Sequence, residues 1–312
     1  MLSLFCKPDS GGEPTFGKAL DAWLSDERLR VKRSTYATYC GVTERHVRPA
    51  LGDIPFYALT SESVAKFLEE RGKCLAPATM RLVCRVVRGA MDKARRSGAK
   101  LPAGEVIAAP RLNRPEARIM TDADRAALEA QFRSHTDEPR LGLLICMYTG
   151  MRLGEICALR WEDFSRDGTT ICIHRTLQRV SLPRGGEGPR TMMLFDAPKS
   201  QRSNRTIPVP ASLSELTARH RRGDDCFVLT GRPDEFMEPR RLQARFKNEL
   251  RSCGAEDINF HALRHTFATN CVKMGCDPTT LSRILGHSDV SVTLNIYVHP
   301  SLDSMRALMD RL

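Results

Sequence analysis

No apolar run in this chain approaches the roughly 20 residues that a membrane-spanning helix needs, which excludes a helical span. The opening residues carry no secretory signal, because Cys6-Lys7-Pro8-Asp9-Ser10 interrupts a very short apolar start. The 11 cysteines, an odd number, contain no CxxC pair, and Cys84, Cys146 and Cys157 fall inside apolar stretches. Reduced core thiols in a cytoplasmic protein are therefore expected. No GxxxxGK[ST] loop is present to cradle a nucleotide. His261 and His265 stand four apart but lack the glutamate of HExxH, and Cys271 and Cys276 are poorly spaced for zinc. No cluster of carboxylates of the kind that holds a metal pair is visible. Internal repeats and low-complexity tracts are also missing.

What the chain does have is positive charge. Its 312 residues carry a net charge of +11 and a pI of about 9.3. That favours a polyanionic partner, nucleic acid ahead of an anionic membrane surface. The length suggests two domains with real cores. Residues 1–13 read as a flexible lead, with Asp9-Ser10-Gly11-Gly12. Thr15 can cap a first helix bearing Phe16, Leu20, Trp23 and Leu24. Ser34 opens a second, running to about Val47. Thr60 opens a third, ending at Gly72, and Pro77 a fourth, ending at Gly98. Residues 14–100 are thus expected to be a small helical domain. On the fourth helix, Arg81, Arg85 and Arg88 make one stripe, extended by Lys93, Arg95 and Arg96. Asp92 is the one acid in that stretch, so the stripe reads as an unpaired DNA-contacting face. Residues 101–120 read as a basic linker broken by Pro102, Gly104, Pro110 and Pro115.

Thr121 with Asp124 resembles a capping box and opens a second domain, expected over residues 121–300. An apolar helix ends at Thr149-Gly150, and Arg152 follows it between two apolar segments, with Glu155 placed to orient it. From Thr169 the periodicity changes to two. Thr170–His174, Thr191–Phe195 and Thr206–Val209 read as strands of one small antiparallel sheet. Helices are expected near Ser212–Arg221 and Pro239–Ser252. The stretch from His261 to Tyr297 then sets His261 and Arg264 on one helix face. Asp277-Pro278 starts a helix that Gly286 ends, and Ser288 can cap the next. Leu285 and Leu294 should bury, leaving His287 and Tyr297 to face a common target. A guanidinium, two imidazoles and a phenol in a basic protein suggest a phosphodiester.

The strings TGMRLGEICALRWED, PKSQRSNRTIPV, HALRHTFAT and LGHSDVSVTLNIY resemble, in order, the motifs of the tyrosine recombinases, the integrase family of phages and mobile elements. The resemblance covers most of Thr121 to Pro300. It implies a mainly α fold with a small antiparallel β-sheet: an N-terminal SAM-like four-helix core-binding domain and an α+β catalytic domain. It implies that Tyr297 is the nucleophile, that Arg152 and Arg264 hold the non-bridging oxygens, and that His287 donates a further hydrogen bond. Lys199 is implied as the acid for the leaving hydroxyl and His261 as the base or proton-positioning group, with His265 structural. Arg202 and Arg205 are expected near the DNA backbone.

No cofactor is expected, since a phosphotyrosyl link keeps the phosphodiester as a covalent bond and rejoining needs no nucleotide. No metal is expected, since cationic side chains are in place to meet the phosphate charge. The implied partners are double-stranded DNA with inverted-repeat core sites, three further copies in a tetramer on a Holliday junction, and an accessory directionality factor. Leu302, Met305, Leu308, Met309 and Leu312 lie on one face of a tail, 301–312, implied to exchange between neighbours. The length leaves little room for the extra N-terminal arm-binding domain of lambda-like members. A type IB topoisomerase or an inactive DNA-binding protein are the alternative readings.

Overall fold

The computed structural model describes residues 14–99, 110, 118–181, 191–196, 204–287, 289–297, 306 and 309–310. The chain divides into two compact units, Met1–Pro115 with Val180–Met192, and Glu116–Arg179 with Met193–Leu312. The expected lead 1–13, nearly all of the linker and most of the tail 301–312 lie outside the described residues.

The first unit is helical. It contains α1 (Phe16–Arg30), α2 (Arg33–Val42), α3 (Arg48–Leu51), α4 (Ser61–Cys74) and α5 (Pro77–Arg96). Phe16, Leu20 and Trp23 of α1 bury against Val83, Val87 and Met91 of α5. The crossing is so close that a Cβ on Gly89 would stand 2.3 Å from Trp23 Nε1. Thr15 sits at the cap position of α1 but makes no side-chain cap bond. The first amides are satisfied from a loop instead: Phe16 N–H donates to the Ile54 carbonyl at 2.9 Å, and Gly17 N–H to that of Gly52 at 2.8 Å. The helix expected from Ser34 to Val47 is broken. A π-helical turn, Thr43–Val47, separates α2 from α3, whose first turn contains Pro49. Proline lacks an N–H and its ring crowds the carbonyl four residues earlier, so a widened turn accommodates it. Thr60 and Ser63 form a reciprocal capping box on α4, which continues past Gly72 to Cys74.

The second unit holds α6 (Asp122–Ser134), α7 (Glu138–Thr149), α8 (Leu153–Ala158), α9 (Ala211–His220) and α10 (Pro239–Ser252). It is completed by α11 (His261–Lys273), α12 (Pro278–Leu285) and α13 (Val290–Tyr297). Leu141, Leu143, Leu144, Ile145 and Cys146 make α7 apolar all round, and all are fully buried. Such a helix belongs in the middle of a core, and α7 touches α6, α9, α10 and α11. Each of its buried leucines contributes about 1.5–3 kcal/mol of transfer free energy. Strand β1 (Thr170–Ile173) pairs antiparallel with β4 (Arg205–Pro208), Ile171 opposite Ile207. Strand β2 (Thr176–Ser181) pairs with β3 (Thr191–Asp196) in a separate two-stranded sheet. The single three-stranded sheet expected from sequence is therefore two sheets. Thr176–Ser181 is not legible as a strand, because its buried apolar residues, Leu177 and Val180, are three apart rather than two. Among the described cysteines, Cys84, Cys146 and Cys157 are buried free thiols, whereas Cys74 and Cys172 are exposed.

Candidate active site

Two left-handed glycines place the site. Gly150 ends α7 with φ 63° and Gly286 ends α12 with φ 64°. Both conformations favour glycine, and both positions are crowded. A Cβ on Gly150 would meet Phe267 Cδ1 at 2.5 Å, and one on Gly286 would meet Arg205 Nη1 at 2.9 Å. Each helix thereby turns its last carbonyls toward one region, where two arginines take them up. Arg264, 2% exposed on α11, donates Nη1–H to the Gly150 carbonyl at 2.9 Å and Nη2–H to that of Leu285 at 2.7 Å. Arg152, at the start of α8, donates Nη2–H to the next carbonyl, Gly286, at 3.0 Å. Guanidiniums at helix C-termini satisfy orphan carbonyls and complement the negative end of the dipole.

Glu155 joins this arrangement from below. It accepts the Arg152 backbone N–H at 2.9 Å and Arg152 Nη1–H at 2.7 Å. It also accepts Arg205 Nη1–H at 3.0 Å and Nη2–H at 2.9 Å. Burial alone would raise its carboxyl, but Arg205 and then Arg152 outweigh burial and hold it at about 2.

Both expected imidazoles are here. His287 follows Gly286 directly, and its Nδ1 lies 2.8 Å from Thr293 Oγ1 of α13. Burial, then Arg264, Arg152 and Arg205, push its imidazole down to about 4. His261 opens α11 and keeps an exposed edge. Protein around the ring, then His265, Arg264 and Arg152, push it down to about 4 as well. His265 packs edge-on against it, ring centroids 4.6 Å apart. Tyr297 is the last residue of α13, a helix that touches both α11 and α12. The placement of its phenol lies outside what the structure describes, as do Lys199, Arg202 and Ser288.

Three expectations need correction. Leu294 is 42% exposed rather than buried, since α13 turns Thr293 and not Leu294 inward. Arg205 is not on a DNA-facing surface. Its side chain is 5% exposed, and it donates Nε–H to the Ile284 carbonyl at 2.5 Å besides its bonds to Glu155. The basic face of α5 is not wholly unpaired. Arg81, Arg85, Arg88 and Arg96 are exposed, but Arg95 is ion-paired with Asp92 and Lys93 with Asp26. Thr293 was not singled out by sequence reasoning. Its signal is its place in α13, four residues before Tyr297, so that both fall on one helix face. A polar cavity of about 670 Å³ opens beside His287, lined by Arg205, Ser282, Arg283 and Thr280 among others.

Comparison with known proteins places the chain in a family. Residues 116–303 match the Phage integrase family, and residues 15–70 match the phage integrase N-terminal SAM-like domain. The chain belongs to the phage integrase family. It is a tyrosine recombinase, an enzyme that cleaves and rejoins DNA. A tyrosine recombinase XerC-like protein of Caldanaerobacter subterraneus is 25% identical over 91% of this chain and 79% of its own length. The Tn1549 transposon integrase, solved in complex with transposon right end DNA, superposes with a TM-score of 0.73 at 22% identity. That match covers 96% of this integrase and 99% of the solved chain. One chain of a lambda integrase tetramer solved on a Holliday junction superposes with a TM-score of 0.67 at 16% identity, over 94% of this chain and 81% of that one. Among the described residues, no helix is long and apolar enough to cross a membrane.

Proposed function

We propose that Tyr297 attacks a DNA phosphorus held by Arg152, Arg264 and His287. The Tyr297 Oη–P bond forms, the P–O5′ bond breaks, and Lys199 gives its proton to the departing O5′. His261 receives or positions the phenol proton. The strand is left with a 3′-phosphotyrosyl link, and a 5′ hydroxyl from another duplex reverses the steps to rejoin it. The observation that carries this reading is the seating of Arg152 and Arg264 on the successive carbonyls of Gly286 and Leu285. Two forked, permanently charged donors are thereby held side by side, with His287 next in the chain. Both histidines are held neutral near pH 7 before DNA arrives, so His261 is available as a proton acceptor.

The enzyme serves integration and excision of a mobile element, acting in the cytoplasm on inverted-repeat core sites as a tetramer through a Holliday junction. An accessory factor sets direction. The likeness to transposon and lambda integrases solved on DNA supports this assembly. A duplex with a nick beside the cleavage site tests the chemistry, because the cleaved fragment diffuses away and the covalent adduct accumulates. Wild-type protein should give an adduct that maps to Tyr297. Y297F should bind the duplex as wild type does and give none. An adduct in Y297F would remove the nucleophile assignment.

A further inference from the structure

We propose that Arg205 is a positioning residue for strand cleavage, clamping the end of α12, and with it His287, to the Glu155–Arg152 pair. The inference rests on the proposed roles of Arg152 and His287. Arg205 opens β4, the strand that follows the segment carrying Lys199. Its Nε–H is on the Ile284 carbonyl at 2.5 Å, in the last turn of α12. Its two terminal nitrogens straddle the Glu155 carboxylate at 3.0 and 2.9 Å. The guanidinium also lies directly against Gly286, where an added Cβ would be 2.9 Å from Nη1. One planar side chain therefore touches the helix end before His287 and the carboxylate that holds Arg152. A phosphate contact would need the same donors on an exposed face, whereas this side chain is 5% exposed.

Charge gives the clamp a second effect. Glu155 is one anion shared by two guanidiniums. Without Arg205 the carboxylate would pair wholly with Arg152 and draw its guanidinium away from the charge that builds on the phosphate oxygens in the transition state. That slows cleavage without loosening ground-state binding. With Arg205 present, the cluster of Arg152, Glu155 and Arg205 keeps a net positive charge. A lysine cannot replace this geometry, since one ammonium cannot span Ile284 and both carboxylate oxygens.

The test uses the full chain and the nicked duplex, with Kd and its salt dependence measured beside the single-turnover cleavage rate at saturating DNA. R205K and R205Q should cleave about 100-fold more slowly, as misplaced catalytic groups do. Their Kd and salt slope should match wild type. E155Q should be similarly slow, and R205Q with E155Q no slower than either alone, because both changes break one unit. Cleavage by R205K within about twofold of wild type would overturn the proposal. So would a salt slope reduced by about 1, which marks a lost phosphate contact. If both Arg205 variants bind DNA poorly with an unchanged salt slope, the rate at DNA raised to saturation decides: cleavage within about twofold of wild type overturns the proposal and slow cleavage supports it. Failure of the wild-type protein to form an adduct on Tyr297 is a different result, which removes the catalytic reading itself.

Discussion

Thr293 shows how one hydroxyl sets the chemistry of a neighbouring ring. It is fully buried, and its Oγ1 faces Nδ1 of His287 at 2.8 Å. If the hydroxyl donates to Nδ1, the proton of a neutral His287 stays on Nε2, the nitrogen available to a phosphate oxygen. The same bond ties α12 to α13, the helix that ends at Tyr297. Valine matches threonine in shape and lacks the hydroxyl. T293V should therefore keep the fold and the DNA affinity while cleaving about 10- to 100-fold more slowly, the usual size of losing a partner that orients a catalytic imidazole. The ¹⁵N shifts of His287 would report the change of tautomer. Unchanged shifts and an unchanged rate would show that the threonine only packs.

At the scale of elements, the site is a meeting of helix ends, the C-termini of α7 and α12 with the N-terminus of α11. That arrangement was partly legible. Gly150, Gly286 and Asp277-Pro278 mark helix ends in the sequence, and Asp277 does accept the Thr280 N–H at 2.9 Å. The regular spacing of Leu141 to Met147 likewise marks a core helix. The sequence does not reveal that Arg264 and Arg152 would share one set of carbonyls, because those contacts join residues far apart in the chain. Arg205 looked like a surface cation for the same reason. Its partners are a carboxylate on α8 and a carbonyl on α12, and only the packed core brings them together.

The cationic setting of these elements gives a pH dependence. His261 and His287 are held at about 4, below the ordinary 6.5. Above pH 6.5 both are neutral folded or unfolded, and they add no slope. As the pH falls from 6.5 toward 4 the unfolded chain takes up protons first, so stability declines. Below 4 the two states bind equally and the loss is complete. Calorimetry from pH 7 to 4.5 should show Tm falling, and H287N should flatten the fall. Glu155, held at about 2, contributes its loss only below this range. An H287N protein whose Tm falls as steeply as wild type would place the proton uptake elsewhere.

For the whole molecule, the net charge of +11 is spread over both halves of the chain. Residues 1–110 hold 18 basic and 12 acidic residues, so a net +6 sits in about a third of the length. How much of that reaches DNA depends on which cations already have protein partners. Arg81, Arg85 and Arg88 form an exposed stripe on α5, with the Arg85 guanidinium 5.6 Å from the Tyr39 ring centroid, a contact that holds the side chain without neutralising it. Arg95 is half-buried and paired with Asp92, so part of its field is already compensated. Removing a cation that displaces counterions from the duplex lowers the salt slope of log K by about 0.9, whereas removing a compensated one lowers it less. R85A should therefore reduce the slope by nearly one unit, equally on specific and unrelated duplexes, since phosphate contacts carry no sequence information. R95A should reduce it by clearly less. Equal effects of the two substitutions would mean that the Asp92 pair opens on binding, and no effect of R85A would take the α5 stripe off the DNA.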